Sequence, residues 1–283
     1  MCTKKMRVLT KMSTRILIGL GLCAAVAFAQ GGRGGGRGPQ PPAPPFKRLA
    51  DGHPDMQGYW ETANFATAFD LETREKAEYG IPAGKGVIVD PADGKIPYQP
   101  WALAKKKDLA EHDMYADPQA HCELSGVPRQ MYTPFGFQIL QPHNNFLLLY
   151  EAFHSYRIIP LDGRPHIPDP IRLFEGDSRG HWEGDTLVVD VTNQNPNTWF
   201  DMAGNFHSDA LHVVERYTML NANTISYRAT LDDSKVFTRP FTIAFDLVRN
   251  RDPNYEQLEF ACVEGEQDLQ HYTAEEGAKA KAR

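Results

Sequence analysis

The densest group of chemically capable side chains lies between Gln194 and Leu211 and in the few residues that follow. This stretch of 18 residues carries Trp199, Phe200, Asp201, His207 and Asp209, then delivers His212 and Glu215. An imidazole beside carboxylates can move a proton near neutral pH, and an indole can keep water away from it. Facing groups are expected from His154, Tyr156 and Arg157, with His154 foremost. In such a site Glu215 or His212 would accept the proton, and Trp199, Asp201 and Tyr156 would help hold a ligand. The same loop also has a structural use, with Trp199 and Phe200 as a plug and His207 and Asp209 as turn and cap bonders. His207 and His212 with Asp209 or Glu215 would make a mixed nitrogen/oxygen metal site, but no H-E-x-x-H, H-x-H or cysteine-pair spacing supports one. No cofactor is therefore expected. Ser208 lies between His207 and Asp209, but adjacency in sequence is not triad geometry.

Such residues need a scaffold, and from Phe135 onward the sequence has the pattern of a β-protein. Phe137–Gln141, Phe146–Glu151 and Tyr156–Pro160 are short apolar runs with polar connections. Leu187–Val191, Ile225–Leu231 and Phe241–Leu247 then alternate with period two. Val213–Leu220 puts Val213, Tyr217 and Met219 on one face together with Glu215, and Leu258–Cys262 is expected to close the series. A carboxylate on a core face must be paired, with Arg or Lys, or keep its proton. The opposite register would turn His212, Val214, Arg216 and Thr218 inward. His212 and Glu215 differ in parity, so without a bulge only one of them faces the core.

The connections Glu183-Gly184-Asp185, Asn221-Ala222-Asn223 and Asp232–Lys235 are short, which makes neighbouring strands antiparallel. About nine or ten such strands with one apolar face predict a mainly β fold, an antiparallel meander closed into a lipocalin-like barrel. A β-sandwich is the alternative. Residues 47–133 are irregular, with a short strand at Gly86–Val89 and a helix over Gln99–His112 that Pro100 opens and a basic run crosses.

The chain of 283 residues is 41% hydrophobic and 23% charged, which excludes a disordered or collagen-like protein. A basic segment to Arg15, 13 apolar residues from Ile16 to Phe28 and Ala27-Phe28-Ala29 predict a signal peptide over 1–29, cut before Gln30. A membrane span would need about 20 apolar residues, so none is expected in the mature form. Five of the 30 basic residues and none of the 36 acidic ones lie before Gln30, so cleavage moves the net charge from −6 to −11. An acidic protein of this kind is repelled by nucleic acid and by anionic lipid. Gln30–Pro45, with six glycines and five prolines, is a spacer; 46–264 is expected as one barrel-like domain and 265–283 as a charged tail. Export, periplasmic or extracellular, would leave Cys122 and Cys262 as the remaining cysteines, which predicts a disulfide between them.

Gly58-Tyr59-Trp60 resembles the G-x-W at the first strand of lipocalins, barrels that hold one small ligand. Roughly residues 50–265 are similar to a large family of exported bacterial proteins. That similarity rests on Asp90-Pro91-Ala92-Asp93-Gly94-Lys95-Ile96-Pro97-Tyr98, Cys122 with Gly126-Val127-Pro128-Arg129, and Asp162-Gly163-Arg164-Pro165-His166. It continues in Gly180-His181-Trp182-Glu183-Gly184-Asp185-Thr186-Leu187-Val188-Val189-Asp190 and His207-Ser208-Asp209-Ala210-Leu211-His212. The family resemblance implies export and a shared fold, and it carries over no catalytic residue. The function expected is binding of a small apolar or aromatic molecule. A cofactor-independent isomerase, lyase or hydrolase on the same scaffold is one alternative, and a structural or interaction module is another.

Overall fold

A computed structural model describes residues 45–262; the signal segment, nearly all of the spacer and the charged tail lie outside the described residues. Ten strands follow in chain order: β1 (Gly58–Thr62), β2 (Ile88–Asp90), β3 (Phe137–Leu140), β4 (Asn145–Tyr150) and β5 (Tyr156–Pro160) in the first half. The second half holds β6 (Asp177–Glu183), β7 (Thr186–Thr192), β8 (His212–Asn221), β9 (Thr224–Asp232) and β10 (Phe241–Arg249). An α-helix, α1 (Pro100–His112), and several short 3-10 turns interrupt the irregular region, and Pro100 stands in the first turn of α1, where its missing N–H costs nothing.

The strands run β5-β4-β3-β1-β10-β9-β8-β7-β6, with β2 paired to β10 beside this path. All the pairs are antiparallel, so the nine strands of the path form a nearly closed up-and-down barrel of the lipocalin-like kind. The first and last strands meet, Trp60 standing opposite Arg249, whose guanidinium lies over the indole at 4.2 Å. The G-x-W thus opens the first strand, as its resemblance implies. The two ends of the sheet, β5 and β6, fall in mid-chain.

Alternation fills the interior as the sequence predicts. Val213, Glu215 and Tyr217 of β8 and Ile225, Tyr227, Ala229 and Leu231 of β9 are fully buried. They face one another in register, Glu215 opposite Ala229 and Tyr217 opposite Tyr227. One strand is not read from the sequence, and one expectation needs correction. Asp177–Glu183 is a strand although its alternation is masked by Gly180 and by polar residues on both faces. Leu258–Cys262 is not a strand: Phe260 makes a single bridge to Ala152, and its ring stacks on Phe135 at 4.7 Å and meets Phe153 edge-on. Phe260 is held by ring packing rather than by a place in the sheet, and Leu258 is exposed.

Because β5 and β6 do not pair, their approach is set by side chains. A Cβ at Gly180 would lie 2.6 Å from Leu161 Cδ2 and 2.9 Å from Ile159 Cγ2, so β6 closes on β5 there because position 180 has no side chain. The far end of the barrel is stopped by residues 199–206, where Phe200 packs among Phe237, Phe241 and His207. Helix α1 lies outside this plug, with Lys105 Nζ 4.4 Å from the centre of the Phe206 ring.

Cys122 and Cys262 form a disulfide, Cα to Cα 5.4 Å, across a separation of 140 residues. Nearby, Arg129 and Asp117 are both buried and make a two-pronged pair at 2.7 Å for each contact. Among the described residues no helix is long and apolar enough to cross a membrane. Cross-linking so long a span is worth about 4–5 kcal/mol in chain-entropy models. The Cys122→Ser, Cys262→Ser double variant is expected to lose stability of that order in urea titrations. Wild-type protein under reductant should match it, and an unchanged midpoint would contradict the pairing.

Candidate functional site

A cavity of about 630 Å³ opens at the seam, between β5 and the segment that carries the chain from β5 to β6. Phe153, Tyr156, Ile158, Leu173 and Phe174 form mostly apolar walls, and Arg157, Glu175 and Ser178 supply polar groups deeper in. The crossing segment is held in place along its length. His166 has Nδ1 2.7 Å from Asp177 and Nε2 2.8 Å from Asp190, whose other oxygen is 2.8 Å from His212. Asn193 donates from Nδ2 to the carbonyls of Pro168 and Ile171, and Leu173 exchanges backbone bonds with Asn193 and Asn195. The turn at Gly176 has φ +62°, and a Cβ there would lie 2.8 Å from Val191 Cγ1. Glycine at 176 is what lets the chain reverse so tightly beside Glu175.

Glu215 lies behind this cavity, inside the barrel and fully buried. Arg157 reaches it from β5 with both terminal nitrogens, Nη1 donating to Oε1 at 3.1 Å and Nη2 to Oε2, while Nε donates to Ser178 Oγ at 2.8 Å. The hydroxyls of Tyr217 and Tyr227 donate to Glu215 Oε1 at 2.9 and 2.8 Å. Burial, reinforced by the Glu215 charge, holds both phenols well above their ordinary pKa, so they remain donors. Burial alone would lower the Arg157 pKa, but the charge and hydrogen bonds of Glu215 together with the neighbouring Tyr217 and Tyr150 outweigh it and keep the guanidinium charged.

Glu175 is the contrasting case. Both of its carboxyl oxygens are shielded from solvent and neither has a hydrogen-bond partner. Burial pushes its pKa up to about 7, against a partial downward pull from Arg157 and the nearby Gly126 amide. The cavity therefore holds a carboxyl group whose proton is labile near neutrality.

The other candidates named from sequence are dispersed. His154 and Tyr156 line the seam cavity, both exposed. His212 is half-exposed on the outer face with Asp190, as opposite parity to Glu215 requires. His207 is buried, 2.7 Å from Thr198 Oγ1 and 2.8 Å from the Ser208 carbonyl, and burial lowers its pKa. Asp209 bonds Lys235 at the surface. Trp199 lines a different groove, beside Lys105 and His121. Asp201 accepts from the amides of Leu71, Ala203 and Asn205 and from Asn205 Nδ2, and burial beside Asp70 raises its pKa to about 7. The long loop is thus a plug whose polar groups bond within the fold and to α1's side of the barrel. His207, Asp209, His212 and Glu215 do not converge, and among the described residues no three metal-ligating side chains are placed to hold an ion.

Glu175, Phe153, Phe174 and Ser178 escaped sequence reasoning. The available signal was a carboxylate between Leu173-Phe174 and Gly176 in an otherwise polar connection. Gly176-Asp177-Ser178-Arg179-Gly180 also spells G-x-S-x-G. Ser178 nevertheless lies in a strand rather than on a strand-to-helix turn, and its hydroxyl receives Arg157 rather than an imidazole.

The architecture is that of an antiparallel lipocalin-like barrel, closed except at one seam. No protein-family model and no curated protein matches the chain. Among solved structures, a variant of the fluorescent protein UnaG is similar at 12% identity, over 70% of this chain and 97% of that one, with a TM-score of 0.31. Overlap at that level carries no weight for ligand or activity.

Two predictions follow from these groups. Glu215→Ala strands a buried guanidinium and two hydroxyls, and should cost about 3–5 kcal/mol in denaturant titrations. His212→Ala removes a half-exposed pair and should cost under about 1 kcal/mol; equal losses would contradict the inward placement of Glu215. Glu175 has a folded pKa above that of an unfolded carboxyl, so its contribution to stability is largest in acid and falls as pH rises through the interval up to about 7. Between about pH 5 and about pH 8, Glu175→Gln should therefore gain up to about 3 kcal/mol on the wild type. Asp201 titrates in the same interval in both proteins, so the difference between the two pH–stability curves isolates Glu175.

Proposed function

We propose that the protein is an exported binder of a small molecule with an apolar or aromatic body, and that it holds this molecule in the seam cavity rather than on the barrel axis. The observation that carries the reading is the cavity itself: concave, mostly apolar and furnished with a few convergent polar groups, as ligand sites are. The barrel axis is occupied by Trp60, Phe137, Phe146, Tyr217, Tyr227 and Phe245, packed in one core. The basic and apolar N-terminal segment favours export, as does the disulfide, which suits an oxidising compartment. The same motifs support membership in the exported bacterial family that the sequence resembles. An acid/base enzyme is the second reading, and Glu175 is the specific observation in its favour, since a carboxyl poised near neutrality in a cleft suits proton transfer.

Calorimetric titration with 1-naphthalenemethanol, biphenylmethanol and 1-decanol tests the binding reading. Wild type is expected to bind at least one of these probes. Ile158→Trp, which adds bulk to an exposed wall of the cavity, should weaken that binding about tenfold or more with an unchanged melting temperature. If none of the probes binds, or the tryptophan leaves affinity untouched, the reading fails.

A further inference from the structure

We propose that the seam cavity takes an organic cation: an amine whose apolar or aromatic body lies against Phe153, Tyr156, Ile158 and Phe174 and whose ammonium group is received by Glu175. This inference rests on the small-molecule reading and names the ligand class.

The argument is one of hydrogen-bond capacity. Arg157 lines the cavity but donates from each of its three nitrogens inside the fold, to Ser178 and to both oxygens of Glu215. Arg172, at the rim, is engaged with the side chain and carbonyl of Asp169. Both arginines of the lining are thus already paired and leave no free cation for an anionic ligand, whereas Glu175 in the same lining has two carboxyl oxygens without a hydrogen-bond partner. A neutral carbonyl could take the one proton of a Glu175 carboxylic acid and would leave the second oxygen unanswered. An ammonium group offers two or three donors and a charge, so it can satisfy both oxygens at once and convert the acid to a carboxylate. The aromatic faces of Phe153, Tyr156 and Phe174 suit the same guest, since a cation is drawn to the face of a ring. A net charge of −6, or −11 without the basic N-terminal segment, adds a long-range pull of the same sign.

The groups that bear on Glu175 are Arg157 from β5, Glu215 from β8 and Tyr150 from β4, with Arg172 and Asp177 on its own segment and His154 across the mouth. Arg157 and Glu215 cancel as a pair, and so do Arg172 and Asp169. Asp177 is taken by His166 and Arg179, so the carboxylate of the lining left without a partner is Glu175.

Three molecules of one shape make the test: 1-naphthylmethylamine, 1-naphthalenemethanol and 1-naphthoic acid, each titrated calorimetrically into the full chain. Near pH 7.5 the amine is expected to bind about tenfold or more tighter than the alcohol, and the acid weakest of the three. Lowering the pH toward about 5 should erode the amine's advantage as Glu175 regains its proton, with the alcohol unaffected. In Glu175→Gln the ratio of amine to alcohol affinity should fall to within about twofold, whatever the absolute affinities. Equal binding of amine and alcohol by the wild type, or a preference that survives Glu175→Gln, overturns the inference while alcohol binding leaves the small-molecule reading standing. Should none of the three bind, it is that underlying reading that fails. The wild-type pH profile needs no variant, so it decides the matter even if the glutamine protein folds poorly.

Discussion

A guanidinium placed inside an apolar barrel must have its charge answered, because an uncompensated charge there costs several kcal/mol. Arg157 meets that condition with partners on two other strands: Ser178 on β6, and Glu215 on β8, which collects the hydroxyls of Tyr217 and Tyr227 besides. One side chain from β5 is therefore tied to β6, β8 and β9. This matters because β5 and β6 share no ladder. Where other neighbours are joined by backbone hydrogen bonds, these two are joined by the buried Arg157–Ser178 hydrogen bond and by the close contact that Gly180 permits.

The arrangement leaves room at the end of the seam that the ion pair does not fill. The crossing segment covers it, held by His166 between two aspartates and by Asn193, and the Gly176 turn sets Glu175 against the space. The two glutamates near Arg157 differ in what they receive. Glu215 takes four donors; Glu175 has none within bonding distance. A single arginine does not serve both here, and the glutamate it leaves unserved belongs to the cavity lining.

The barrel was legible in the sequence wherever residues alternate. Period-two patterning in β7 to β10 assigns the inward face, and the one anomaly in it, Glu215, pointed to a buried partner that proved to be Arg157. Legibility failed where packing rather than periodicity decides. Gly180 interrupts the β6 pattern because it must let Ile159 and Leu161 approach. Phe260 looks like a strand residue because its ring, half-buried, packs against other rings. The loop at 194–211 drew attention through its histidines and carboxylates, but these bond to nearby backbone and to Thr198, Lys235 and Asn205, relations that composition does not reveal. Glu175 was passed over because it sits in a connection without period, and its environment is made by residues distant in sequence.

The pairing of β1 with β10 has a consequence for how the cylinder is assembled. Strands β6 to β10 run as consecutive hairpins and can zip up from local contacts, and so can β3 to β5. β1 covers the edge of β3, and the two groups become one sheet only where Trp60 meets Arg249, a contact between the first and last strands of the chain. Closing so long a loop is entropically unfavourable and slow compared with forming a hairpin. A chain still missing β10 would therefore hold two separate sheets, however well the hairpins within each had formed.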